Sequence, residues 1–391
     1  MTKVWNKSIV LASTHLFSGA DPLVCEAPPT CSDAASADYG SRGEVENYAA
    51  TVGDNDRVSD VLASPLGRQF LLGLIGKRAG EQLDWSSERV ARRAIRAAVE
   101  ERGALPDDAL ELLGALAHET FQFGFDSDDE WRWPLVRAAA DELRPVGSEL
   151  VAITTPRGWW DPVDRADQRL VHWDDLPEIG PGGIEAVVRD SVERTRVHND
   201  QALERTKASP RPGGRVGAFW WSAPDFSPLT WTTRAVAPLP STALLGFIDT
   251  HQPLEATGAS VYSFRISPNA HVYEIVGPED WRHLVERFPM DVTGTHDGEW
   301  REWGGVTGPW VLPDWTEVME HYDGVHVTIG GYLASWGLAL PVGAAHTMLA
   351  GWIPDATLWL HTASVDRRFL GRWHGTPTAN VDNVMTAWEP A

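Results

Sequence analysis

Two cysteines, Cys25 and Cys31, are all the thiol chemistry in this chain of 391 residues. So few exclude a disulfide-stapled fold and a four-thiolate zinc site. They lie in a stretch rich in proline and alanine (Ala27, Pro28, Pro29, Ala34, Ala35). It reads as part of an arm, where a bridge would add little to the main fold. Lysine is also scarce. Lys3, Lys7, Lys77 and Lys207 leave 29 of the 33 basic residues as arginine, the composition of GC-rich coding DNA. Guanidinium differs from ammonium in pairing two-pronged with carboxylates and stacking on rings. No run of 18 apolar residues occurs, which excludes a membrane-spanning helix from the sequence pattern. Positive charge is short as well. Against 33 basic residues stand 55 acidic ones, a net of −22. Phosphate backbones would repel such a chain, so nucleic acid is not expected as a partner.

Several signatures are missing. There is no G-x-x-x-x-G-K-[ST] phosphate loop and no G-x-G-x-x-G after a strand. H-E-x-x-H and G-x-S-x-G are absent too. Asp126, Asp128 and Glu130 imitate the start of a calcium loop, but Trp131 stands where that loop needs glycine and Arg137 where it needs glutamate. No motif names a cofactor. At the N-terminus, Lys3 and Lys7 precede Ile9–Phe17 and Ser18-Gly19-Ala20, an outline of a secretory signal. Ser13, Thr14 and His15 break its apolar run, so an ordinary N-terminus and a cytoplasmic protein are expected.

Tryptophan, by contrast, is abundant: 20, against 6 tyrosines and 11 phenylalanines. Only Trp5 and Trp85 precede residue 131. An indole combines a large apolar face with one N–H donor, which suits cores and ligand platforms alike, and its face attracts cations. Eleven of the 13 histidines lie beyond residue 150. The rear of the chain is where the chemistry is concentrated.

The pattern predicts an α+β protein: an arm over 1–55, a small helical domain over 56–145, and a larger mixed, mostly antiparallel domain over 146–391. Helical spacing begins at Val58. Ser86 with Glu88 opens a helix whose stripe is Val90, Ala94, Ile95, Ala98 and Val99, ended by Gly103. Pro106-Asp107 opens another, and a third runs from Pro134 to a stop at Pro145. Behind it, strands are expected at 150–154, 169–173, 216–222, 229–236, 261–266, 271–276, 324–329 and 356–361. A long polar helix fills 183–207, and shorter helices start at Pro278 and Pro313 with acids in their first turns.

Four constellations carry candidate chemistry. Glu320-His321-Tyr322-Asp323-Gly324-Val325-His326 puts two imidazoles and flanking carboxylates within seven residues, the material for proton transfer. His321 or His326 is the candidate acid–base group, and Asp323 the residue that would orient it. His321-x-Asp323 with a distant His361 also has the outline of an iron-binding facial triad. Arg157-Gly158-Trp159-Trp160-Asp161 pairs indoles with charge in a loop, and Trp159, Trp160 and Trp221 are candidate walls of a ligand pocket. Strand alternation places Trp231 and Thr233 on one face, Thr232 and Arg234 on the other, which makes Arg234 a candidate ligand-binding residue. The order Arg234, Ser241-Thr242, Glu274 resembles the Arg–Ser/Thr–Glu logic of ADP-ribosyltransferases. That resemblance implies a phosphate-holding Arg234 and a Glu274 supporting an oxocarbenium-like transition state. The Arg234–Ser241 gap is much shorter than in that family, and no E-x-E or Q-x-E accompanies Glu274. Last, Arg367, Arg368, Arg372, Trp373 and His374 form a local basic patch suited to a carboxylate or phosphate.

These observations lead to an enzyme acting on a small or peptide-like ligand in a Trp-lined pocket by His/Asp chemistry. The contrasting reading is a non-catalytic regulator or inhibitor that captures a basic protein through its negative field.

Overall fold

A computed structural model describes residues 52–75, 86–125, 133–174, 183–208, 219–224, 230–245, 258–361, 367–377 and 386–391. Most of the predicted arm, both cysteines, the Asp126–Glu130 acids and the loop 210–214 lie outside them.

Helices come first. They are α1 (Asp54–Ala63), α2 (Pro65–Leu74), α3 (Glu88–Glu101), α4 (Ala109–Phe125), α5 (Trp133–Ala138) and α6 (Arg144–Thr154). Ser64 separates the first two. Its Oγ accepts from Gly67 N at 3.2 Å to start α2 and donates to Trp336 O at 3.1 Å, tying the helical front to the rear of the chain. Of the predicted stripe on α3 only Ile95 is fully buried; Ala91, outside that stripe, is buried with it, Val90, Ala94, Ala98 and Val99 are half-buried, and the cap is Ser87. Residue 145 corrects a prediction. Pro145 is not a stop but stands in the first turn of α6, just after Arg144, where its missing N–H costs nothing. The expected strand at 150–154 is therefore helical. Leu150 and Val151 are buried as one face of α6, and a short β-branched apolar run of this kind fits either period.

An eight-stranded mixed sheet follows, confirming the α+β class. In space its order is β12-β11-β3-β1-β2-β10-β7-β4. The strands are β1 (Gln168–Trp173), β2 (Thr230–Thr233), β3 (Gly258–Phe264), β4 (Val272–Ile275), β7 (Gly324–Val327), β10 (Thr357–Trp359), β11 (Arg367–Pro377) and β12 (Thr386–Pro390). All pairings are antiparallel except β4–β7. Two small antiparallel pairs stand apart: β5 (Pro289–Asp291) with β6 (Val311–Pro313), and β8 (Leu340–Val342) with β9 (Ala345–Thr347). The remaining helices are α7 (Gly183–Ala208), α8 (Pro278–Arg287), α9 (Thr293–Gly304), α10 (Trp315–His321) and α11 (Ile329–Ser335). The α8 start at Pro278 is as predicted; α10 begins two residues later than predicted, because Pro313 ends β6 and Asp314 caps the helix by accepting from Thr316 N at 3.0 Å. Residues 219–222 form no strand, and β7 ends at Val327 because Thr328 caps α11 through Gly331 N at 2.8 Å. The sequence pattern had extended that strand to residue 329.

Most of the described indoles fill the interior. Trp159, Trp281, Trp300, Trp310, Trp315, Trp336, Trp352 and Trp359 are essentially sealed from solvent. Trp352 sits 4.9 Å from Trp231 edge-on, 6.0 Å from Trp315 and 6.4 Å from Trp281, so one face of β2 rests on an indole cluster. The hydrophobic cluster runs without a break from Val58 and Leu66 in the helical front to Leu358 and Trp359 in the sheet. No described helix is long and apolar enough to cross a membrane.

Candidate active site

The opposite face of the sheet carries the ionisable groups. In-register residues on adjacent strands share a face. Glu274 lies opposite His326, His326 opposite Thr357, and Thr357 opposite Thr232. Arg234, two residues past Thr232, and Asp355, two before Thr357, extend this row at one end of the sheet. That end coincides with the C-termini of β2, β4 and β7.

The four charged side chains form a chain of contacts. Glu274 Oε2 accepts from His326 Nδ1 at 2.6 Å, and Oε1 accepts from Val163 N at 3.1 Å. The other imidazole nitrogen, Nε2, lies 3.7 Å from Asp355 Oδ1, an ion contact longer than a hydrogen bond. Asp355 Oδ1 accepts from Arg234 Nε at 2.6 Å, and its Oδ2 from Arg234 N at 2.9 Å. Arg234 Nη1 then donates to Gly158 O at 3.0 Å. The His326 and Asp355 side chains are 0% and 1% exposed, while Glu274 and Arg234 keep 16% and 17%. Asp355 reaches this position with φ of 64°, a left-handed conformation that aspartate tolerates better than most residues.

Electrostatics follow from this order. Burial alone would drive His326 to the neutral form, but Glu274 and Asp355 on either side raise its pKa to about 9. Burial would likewise protonate Asp355, yet Arg234 and His326 hold it below the usual carboxylate range. Arg234 pays the desolvation of burial and is returned above its ordinary value by Asp355. Two anions and two cations thus stabilise one another. Among the described residues Thr357 Oγ1, next to His326 by register and buried, has no hydrogen-bond partner, and neither has His326 Nε2.

A loop covers the quartet. After α6 the chain runs through Trp159 and Trp160, both buried, to Val163. Three hydrogen bonds fasten it: Arg234 to Gly158 O, Val163 N to Glu274, and Gly330 N to Trp159 O at 2.7 Å. Gly330 is required where it stands, because a Cβ there would meet Trp160 ring carbons at 2.3 Å. Arg57 lies over the Trp160 ring, 5.3 Å from its centroid.

Of the residues singled out from sequence, the fold therefore gathers Glu274, His326, Arg234, Trp159 and Trp160. His321 and Asp323 it leaves outside. His321 is exposed at the end of α10, its ring 5.2 Å from Phe288. Asp323 accepts from His271 N at 2.7 Å and so joins β4 to the start of β7. Glu274, not Asp323, orients His326. Trp221 belongs to another neighbourhood, against Gly351. His361 Nε2 donates to Met319 O at 2.6 Å, and its Nδ1 lies 3.5 Å from Glu185. Among the described residues no group of three histidines or acids is arranged to hold a metal ion. Ser241 Oγ is bonded to Thr233 Oγ1 at 2.7 Å inside the core, and Arg234 faces Asp355. In the basic patch, Arg372 pairs with Asp174 and Arg367 lies over Tyr262.

Asp355 was missed. Its one signal is an acid immediately before the apolar strand run Ala356–Leu360. Neither a family model, nor a curated protein, nor a solved structure matches this chain.

Proposed function

We propose that the protein is an enzyme acting on a small or peptide-like molecule by proton transfer at Glu274, with His326 as the buried cation behind it. What supports this is the gathering of four ionisable side chains at one sheet end, His326 and Asp355 buried and Glu274 and Arg234 partly exposed, with Asp355 in a left-handed conformation to complete the set. Burying such ions costs several kcal/mol each even when paired. Perturbed ionisable groups and strained backbone concentrate where chemistry is done. In this reading Glu274 presents its partly open edge to the substrate. His326 donates to Oε2, Asp355 keeps His326 charged, and Arg234 keeps Asp355 charged. The Trp159–Val163 segment, anchored by the buried Trp159 and Trp160, roofs the site, and the substrate reaches Glu274 at its partly exposed edge.

The test is incubation of the purified protein with a soluble small-molecule extract of bacterial cells, followed by mass spectrometry. A compound consumed by the wild type should persist with Glu274→Gln, whose amide keeps the shape and cannot take the proton. Turnover should decline as pH rises past about 9, where His326 loses its charge. Unchanged turnover by Glu274→Gln, or no consumption by the wild type, refutes the proposal.

One observation favours the second reading. Among the described residues the hydrogen bonds of the Arg234 side chain go to Asp355 and Gly158, as expected of a latch that only holds a loop down. The chain is then a non-catalytic binder whose net charge of −22 steers a basic protein partner. Salt-sensitive capture of a basic protein, with no turnover in the extract, would select it.

A further inference from the structure

A cleft of about 380 Å³ opens between the helical front and the segment after α11, within the range of roughly 300–1,000 Å³ typical of small-molecule sites. Leu62, Pro65, Leu338 and Ala339 give it apolar walls, and Trp303 adds an indole. Its charged lining residues are Arg68 and Arg137, with no acid among them. In a chain of net charge −22 such a local excess of positive charge is unusual.

The two arginines differ in a way that indicates what is missing. Arg68 is 5% exposed. Its Nη1 donates to Leu62 O at 2.8 Å and Ala63 O at 2.6 Å, the last carbonyls of α1, while its buried Nε has no acceptor among the described residues. Carbonyl dipoles satisfy hydrogens but do not cancel a charge. Arg137, exposed on α5, has no ion pair or hydrogen bond among the described residues. Desolvation, followed by repulsion from Arg137, lowers the Arg68 pKa to about 10. An anion in the cleft would relieve both effects.

We infer that this cleft binds a small organic carboxylate, its charge between Arg68 and Arg137 and its apolar body against Trp303, Leu338 and Ala339. Guanidinium favours carboxylates by charge-assisted hydrogen bonding, and the apolar walls select against a bare, fully hydrated anion. The site is separate from the Glu274–His326 quartet and does not depend on what that quartet does.

Benzoate and octanoate are the probes, with benzyl alcohol, octanol and inorganic phosphate as counterparts, in thermal unfolding and titration calorimetry on the full chain. At least one carboxylate should raise the unfolding temperature and bind at least about tenfold more tightly than its neutral counterpart, the factor one charge-assisted hydrogen bond supplies. Arg137→Ala changes an exposed residue and should keep the fold. It should weaken binding by about the same factor. Ala339→Phe, which fills the cleft, should abolish binding while the ligand-free protein still unfolds cooperatively. Equal binding of the neutral alcohols, phosphate as good as benzoate, no effect of Arg137→Ala, or no binding at millimolar carboxylate would each overturn the inference.

Discussion

Arg68, buried, and Arg234, largely buried, are both arginines withdrawn from water, and they are treated oppositely. Arg234 meets Asp355 through its side chain and its backbone N–H, and its pKa is raised. Arg68 meets only carbonyls, with another arginine nearby, and its pKa falls to about 10. The comparison shows that burial does not decide the state of a charge. What decides is whether an opposite charge is buried with it.

Truncation should separate the two most clearly. Arg234→Met leaves Asp355 buried without its main partner and should cost about 3–5 kcal/mol in urea unfolding. Arg68→Met removes two carbonyl hydrogen bonds and an uncompensated charge together, and should cost only about 1–2 kcal/mol. Equal losses would erase the distinction.

A smaller effect comes from pH. His326 binds its proton more tightly folded, at about 9, than at its ordinary 6.5. Its contribution is therefore complete below pH 6.5 and is lost as pH rises through about 9. Between these limits stability should fall by roughly 1 kcal/mol per pH unit. His326→Gln should flatten the profile, and a wild-type profile already flat there would contradict the charged quartet.

The smallest effect concerns an acid with the wrong company. Asp60 on α1 is pushed up to about 6, first by partial burial and then by Asp56, Glu279 and Asp280. Its charge therefore penalises folding, increasingly from pH 3.8 and fully above about 6. Because the group is still partly in water, Asp60→Asn should stabilise the protein by at most about 1 kcal/mol at neutral pH. The gain should vanish in acid, which thermal unfolding at two pH values would show.

Much of this frame could be read from the sequence, and the reasons it could be are local. Strand alternation correctly put Thr232 and Arg234 on one face, and the proline–acid starts located α8 and α10. The α+β class followed from these. The site was harder. His321, Asp323 and His326 are close in sequence, but a helix end, a strand start and a strand interior send their side chains to different surroundings. Glu274 and His326 were both noticed yet never paired, since only the parallel β4–β7 register sets them opposite each other. Asp355 carried no motif, its role arising from a backbone conformation that no composition or period records. The helix α9, TGTHDGEWREWG, has three glycines and no clear stripe; it is held by tertiary packing of Trp300 and by Asn199 Oδ1, which accepts from Gly294 N at 2.7 Å.

The span of chain that each contact of the quartet closes also matters. Glu274 and His326 are 52 residues apart, and Arg234 and Asp355 are 121 apart. Neither pair can form until long segments between them have been drawn in, so during assembly these charges remain hydrated while local helices are already made. Contacts of such long span are expected to form late in folding. Interactions made after the rate-limiting barrier slow escape from the native state more than they hasten arrival, so substitutions in the quartet are expected to act mainly on the rate of unfolding.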